Sequence, residues 1–212
     1  ELIPKAGLLF IGSPRFRKLG AGCRKGSYET RKTEYVNEFV KKFRGIAGTY
    51  FNGIIYDRKD VEDAIVFFQK EKVDCVICIF LSWAEDRTWI TFLRDMYDVP
   101  LLLYLPVLPG PEYKDTRDED DFIDFLSRGG LVGSLEASGS IPRLDRNIEV
   151  LVDDFESAGK RLGAFVYASM AKSRLHRAKF GLMANYNQLM WSTYINPYDM
   201  FTRIGPELVF IN

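Results

Sequence analysis

The run Val73–Leu81 constrains the fold more than any other stretch of the chain, because its apolar residues, interrupted only by Asp74, are consecutive rather than alternating. A strand exposed on one face alternates apolar with polar residues; a strand covered on both faces does not, and that is the condition of a central strand in a parallel sheet. Strand-like and helix-like segments alternate around it. Ala6–Ile11 is a short apolar run stopped by Gly12-Ser-Pro14 and reads as a buried first strand. Ser27 opens a helix with Tyr35, Val36, Phe39, Val40 and Phe43 on one face. Phe51–Tyr56 is a second strand, and Asp57 or Asp60 caps a helix carrying Val61, Ala64, Ile65 and Phe68.

Downstream of the central run, Ser82-Trp-Ala-Glu85 leads into a third helix with Trp89, Ile90, Leu93 and Met96, and Val99–Leu105 forms a fourth strand. Residues 106–121 read as a long loop with three prolines and many charges, followed by a short helix, Phe122–Leu126. Gly129–Gly133 reads as a turn, with a fifth, weak strand beside it. Asn147–Leu175 is expected to be one long helix carrying Val150, Leu151, Phe155, Ala158, Leu162, Phe165 and Met170. Ala178–Leu182 is a strand, Asp199–Ile204 a short helix, and the chain ends on an apolar β-run after Gly205-Pro206. This alternation predicts a flavodoxin-like, doubly wound parallel α/β sheet over about residues 1–170, and the start of a second α/β domain over 171–212. An unpaired final strand is a liability, so the expectation is a longer protein whose second domain is truncated here.

Composition removes several classes of function. Lys+Arg and Asp+Glu balance at 29 each, which leaves no global field to gather nucleic acid or an anionic membrane. No apolar stretch approaches the ~20 residues of a bilayer span, and the first residues lack the pattern of a signal peptide. Three cysteines, two of them inside the central apolar run, suit a reducing compartment; the expected location is cytoplasmic. Cys75 and Cys78 have redox spacing, but mid-strand burial makes them two small core residues.

In an open parallel sheet, ligands gather beyond the carboxyl ends of the strands, which selects the loops 12–26, 82–87, 106–117 and 134–145. The first offers Arg15, Arg17 and Arg24, whose planar forks suit carboxylates, phosphates or paired hydroxyls; the alternative is a solvated surface loop. It has neither a Walker motif nor Gly-x-Gly-x-x-Gly spacing. Trp83 is placed to cover the apolar face of a sugar or a neighbouring subunit, or else to pack on its own domain. Glu85 and Asp86 suit a helix N-terminus. The small-residue loop Glu136–Pro142 either approaches a ligand or simply turns the chain. His176, the sole histidine, stands among Arg174, Arg177 and Lys179, poor surroundings for a metal ligand, and no His, Glu and Asp cluster has ligand spacing. The uncharged segment Phe180–Tyr198 mixes amides, aromatics and methionines as a neutral polyol site would, or as an inter-domain contact would.

Taken in order, the loop Gly12–Gly26, the sequence Phe80-Leu-Ser-Trp-Ala before the helix of Trp89, Val99-Pro-Leu-Leu-Leu-Tyr, the Gly-Leu-Val-Gly-Ser turn at 130–134, the long helix, and Ala-Lys-Phe-Gly-Leu-Met at 178–183 resemble the amino-terminal half of the L-fucose/L-arabinose isomerase-like family. The resemblance implies two flavodoxin-like domains and a carboxy-terminal domain, and an aldose–ketose exchange through an ene-diol on a divalent metal, usually manganese. It also implies a homo-oligomer in which the amino-terminal domain encloses the neighbour's sugar, a neutral monosaccharide. By position, Arg17 matches the arginine that touches sugar hydroxyls, Trp83 the aromatic given to the neighbouring subunit, and Met190 with Gln188 the second-domain pocket. The metal-binding carboxylates and the histidine belong to the portion of that family beyond this chain, so no catalytic and no metal residue is expected here, and manganese only with the further portion. The alternative is a non-enzymatic sugar-binding or sensing module of the same fold.

Overall fold

Six parallel strands pair into one sheet in the computed structural model, which describes residues 2–108, 115, 117–183 and 196–211. Strand β1 (Lys5–Ile11) leads to helix α1 (Tyr28–Phe43), and the short strands β2 (Gly48–Tyr50) and β3 (Ile54–Ile55) both pair with β1. Then come α2 (Arg58–Glu71), β4 (Cys75–Phe80), α3 (Asp86–Asp95), β5 (Leu101–Pro106), α4 (Glu119–Leu126), α5 (Gly130–Ser138), β6 (Glu149–Asp153) and α6 (Phe155–Arg177). The sheet runs β2-β1-β4-β5-β6. With β2 and β3 taken as one interrupted strand, this is the flavodoxin-like order 2-1-3-4-5, doubly wound as the alternation requires.

The central run lies where its composition demands. Every residue of β4 is buried, and β4 pairs with β1 from Ala6↔Cys75 to Ile11↔Phe80 and with β5 on its other side. Its side chains feed two cores. Ile77 and Ile79 meet Val36, Phe39 and Leu162 on one face; Val76, Cys78 and Phe80 meet Val61, Phe68, Trp89 and Phe92 on the other. Cys75 and Cys78 therefore face opposite sides of the sheet, with burial pushing the Cys78 thiol well up.

Two expectations are corrected. Gly129–Gly133 is no turn with a strand but the N-terminal turn of α5. Its glycines permit close approach rather than bending. A Cβ at Gly130 would stand 2.4 Å from the Phe80 carbonyl oxygen and one at Gly133 2.3 Å from that of Ser82, so the helix seats directly on the end of β4. The long helix begins later than its periodicity suggests. Glu149–Asp153 pairs with β5 as an edge strand, with Leu151 fully buried between the exposed Val150 and Val152. Asp154 then starts α6, its carboxylate accepting from the backbone of Glu156 and Ser157.

The chain divides into two compact units, residues 1–166 and 167–212. The second contains the end of α6, a parallel pair β7 (Lys179–Leu182) and β8 (Glu207–Phe210), and a helical turn at Pro197–Asp199 that continues as a π-helical turn over Met200–Ile204. Among the described residues no helix is long and apolar enough to cross a membrane.

Candidate functional site at the carboxyl edge of the sheet

The loop after β1 is held by its own turns and charges. β1 stops where the Gly12 amide donates to Ile55 O at 2.9 Å, and the chain then folds back through Leu19 N to Phe16 O and Tyr28 N to Leu19 O. Several cations of this region have internal partners: Arg15 pairs with Glu85 at 3.2 Å and Lys25 with Asp124 at 2.6 Å. Arg31 grips both Asp120 and Asp124 on α4. Burial pushes the Asp124 carboxyl up, but hydrogen bonds from Lys25 and Arg31 outweigh it and hold the group below its ordinary value.

Arg17 lies in a hollow of about 260 Å³ that runs from the end of β3 along α1. Its guanidinium donates to Glu29 Oε1 at 2.8 Å and lies 4.7 Å from the centre of the Tyr56 ring. Thr33, Asn37, Phe51, Gly53 and Asp60 complete the walls. Asp60 is oriented by the backbone amides of Tyr56 and Asp57, at 2.9 and 3.2 Å. The Tyr56 hydroxyl is buried and has no hydrogen-bond partner among the described residues; burial, with Glu29 adding to it, pushes the phenol up to about 12, so it remains an O–H donor at neutral pH. The hollow thus joins a cation, two carboxylates, an amide and hydroxyls to aromatic area.

Trp83 does not line this hollow. It is half-buried just past β4, with the Arg15 guanidinium 5.3 Å from its ring centre and Phe16 at 6.4 Å. Arg15, Trp83 and Glu85 form a patch of their own on this edge, and Ser13, fully buried, places its hydroxyl 3.4 Å from both Glu85 oxygens. Of the residues named from the sequence, Arg17 and Trp83 both lie at the carboxyl edge, in two separate settings. Gln188 and Met190 lie outside the described residues.

A second, more apolar cleft of about 240 Å³ opens beyond the ends of β4, β5 and β6, beneath the start of α5. Lys32 of α1 projects into its wall with only 4% of its surface exposed, its Nζ donating to the Ser127 carbonyl. Burial, helped by the Arg128 charge and opposed by Asp124, lowers this ammonium to about 8. Of the other two loops named from the sequence, most of 106–117 lies outside the described residues, and 134–145 has structural bonds. Trp89 Nε1 donates to Ala137 O and Ser140 Oγ, fixing residues 137–140, and Arg146 donates to the carbonyls of Leu93, Met96 and Val99 at the end of α3. The sequence assigns no site role to Glu29, Tyr56 or Lys32, and marks Asp60 only as a helix cap, the place it takes in a capping box with Asp57. Lys32 had a visible signal: it interrupts the apolar stripe Tyr28, Tyr35, Phe39 on α1.

Among the described residues no group of three or more His, Cys, Asp or Glu is placed to hold a metal, so the manganese implied by the resemblance has no ligand set in them. No family model matches the chain, and no curated protein aligns with it significantly. The function is therefore argued from the hollow itself.

Proposed function

We propose that this chain binds a neutral monosaccharide in the Arg17 hollow and supplies substrate enclosure and subunit contacts to a metal-dependent aldose–ketose isomerase, as its amino-terminal part. One observation carries the sugar-binding part of the reading, while the isomerase part rests on the sequence resemblance: the Arg17, Glu29, Asn37, Tyr56 and Asp60 side chains meet in a single concavity with aromatic walls. A sugar presents hydroxyls that both donate and accept, so it needs carboxylates and cations side by side, with a ring face for its C–H surface. A phosphate would be repelled by Glu29 and Asp60, and a volume below the ~300 Å³ of drug-sized sites suits one sugar ring. The Arg15–Trp83 patch suits the subunit contact, because an aromatic with an arginine over it is the residue pair that interfaces favour.

The test is calorimetric titration of the full chain with L-fucose and L-arabinose, compared with Arg17→Met. Arg17 is about half exposed, so its loss leaves the fold intact. The expected result is binding of at least one sugar, weakened about tenfold or more in the variant, since a charged hydrogen-bonding group is removed. Equal affinity for both proteins would remove the hollow from the account.

A further inference from the structure

Among the described residues Lys32 is a buried cation without a counter-charge. Among the described residues no carboxylate lies within ion-pair distance of it, and its one hydrogen bond goes to the Ser127 carbonyl. The remaining groups around the ammonium are the rings of Tyr28 and Tyr35 on α1, at 5.7 and 5.4 Å, and two charges from the α4 side. Of these, Arg128 repels it, and Asp124 is already engaged by Lys25 and Arg31. Buried charges are ordinarily paired, because an unpaired one forfeits its hydration with nothing in exchange.

The missing partner has a place to stand. Lys32, Ser127, Arg128 and the first residues of α5 line the 240 Å³ cleft together. Ser127 Oγ is buried there with no hydrogen-bond partner among the described residues. The N-terminus of α5 is capped by Gly129 without a side-chain hydrogen bond, and its first turn holds no acid. Its leading amides therefore have no side-chain cap, at the end of a helix that favours negative charge. The opposite walls are apolar: Ile79, Leu81, Leu105, Val107 and Val152.

We propose that this cleft is a binding site for a small amphiphilic anion, a carboxylate or phosphate ester whose charged end lies between Lys32, Ser127 Oγ and the α5 amides and whose apolar body lies on the strand ends. The site is independent of the sugar hollow. Among the described residues the two share no lining residue, and they occupy different faces of α1, Lys32 and Tyr35 on one and Glu29, Thr33 and Asn37 on the other.

The test uses four probes of similar body and different head: butyrate, butyl phosphate, butanol and butylammonium. Each is measured by saturation-transfer NMR and thermal shift on the full chain and on Lys32→Met, which keeps the length of the side chain and removes its charge. Saturation transfer to butyrate or butyl phosphate, with a raised melting temperature, is expected in the wild type, and an affinity about tenfold weaker or worse in Lys32→Met. Which head binds better separates a carboxylate ligand from a phosphate ester. Butanol or butylammonium binding as well as the anions, or anions binding Lys32→Met undiminished, would overturn the proposal, as would no binding by either anion. Melting of the unliganded variant at or above the wild-type temperature shows that the comparison is between folded proteins. Should that variant unfold, Ser127→Ala with the same probes decides: weakened anion binding supports the site, and unchanged binding refutes it.

Discussion

Replacing Lys32 by methionine is expected to stabilise the anion-free protein at neutral pH, an unusual outcome for a buried position. The fall of the ammonium from 10.5 to about 8 means that the folded state holds this proton less tightly than the unfolded chain does. At about 1.4 kcal/mol per pH unit, the charged form costs the fold about 3 kcal/mol at pH 7. Methionine removes that cost and keeps most of the stem's packing, but it leaves the Ser127 carbonyl without its donor, at about 1–2 kcal/mol. The expected net gain is about 1–2 kcal/mol.

The pH dependence carries the sign. Between about 8 and 10.5 the unfolded chain keeps a proton that the folded protein has released, so wild-type stability rises with pH through that window. The penalty is fully present below it. The advantage of Lys32→Met should therefore be largest near pH 7 and shrink or reverse by pH 10. Urea denaturation at both pH values, in a buffer without carboxylate or phosphate, measures it. A variant destabilised by about 2 kcal/mol or more at pH 7, with a difference that does not change with pH, would refute the reasoning and show Lys32 to be compensated.

Other perturbations test the remaining parts. Arg146→Met strips three carbonyls at the end of α3 of their donor and should cost about 2–4 kcal/mol in urea unfolding; a loss under about 1 kcal/mol would make that network incidental. Gly133→Ala forces a Cβ against the Ser82 carbonyl and should cost about 1–3 kcal/mol, whereas Gly22→Ala, whose Cβ meets nothing within 4 Å, should change melting little. Trp83→Ala should lower self-association in sedimentation velocity while leaving sugar affinity of the isolated hollow within about twofold, because Trp83 is not part of its wall; unchanged sedimentation would remove the subunit role.

Much of the fold was legible because burial on both faces leaves a mark in one dimension. Val73–Leu81 could be only a covered strand, and the helices with apolar stripes, from Tyr35 to Phe43 and from Val61 to Phe68, followed directly. The misreadings came from residues whose meaning depends on a neighbour distant in sequence. Gly130 and Gly133 look like turn residues until Phe80 and Ser82 are seen pressed against them. Val150 and Leu151 fit a helical period because a five-residue edge strand is too short to break it, and only the Asp154 cap marks the change. At the site, Arg17 and Trp83 were readable as strand-end residues. The partners of Arg17 were not, since Glu29, Tyr56 and Asp60 lie on α1, in the loop after β3 and on α2 and meet only through the sheet order.

The most direct measurement of the central claim is a backbone amide chemical-shift titration of the full chain with L-fucose and L-arabinose. Shifts confined to Arg17, Glu29, Thr33, Asn37, Gly53 and Tyr56, the residues around the hollow, are expected. Saturating sugar with no shifts there, or shifts clustered at residues elsewhere on the chain, would contradict it.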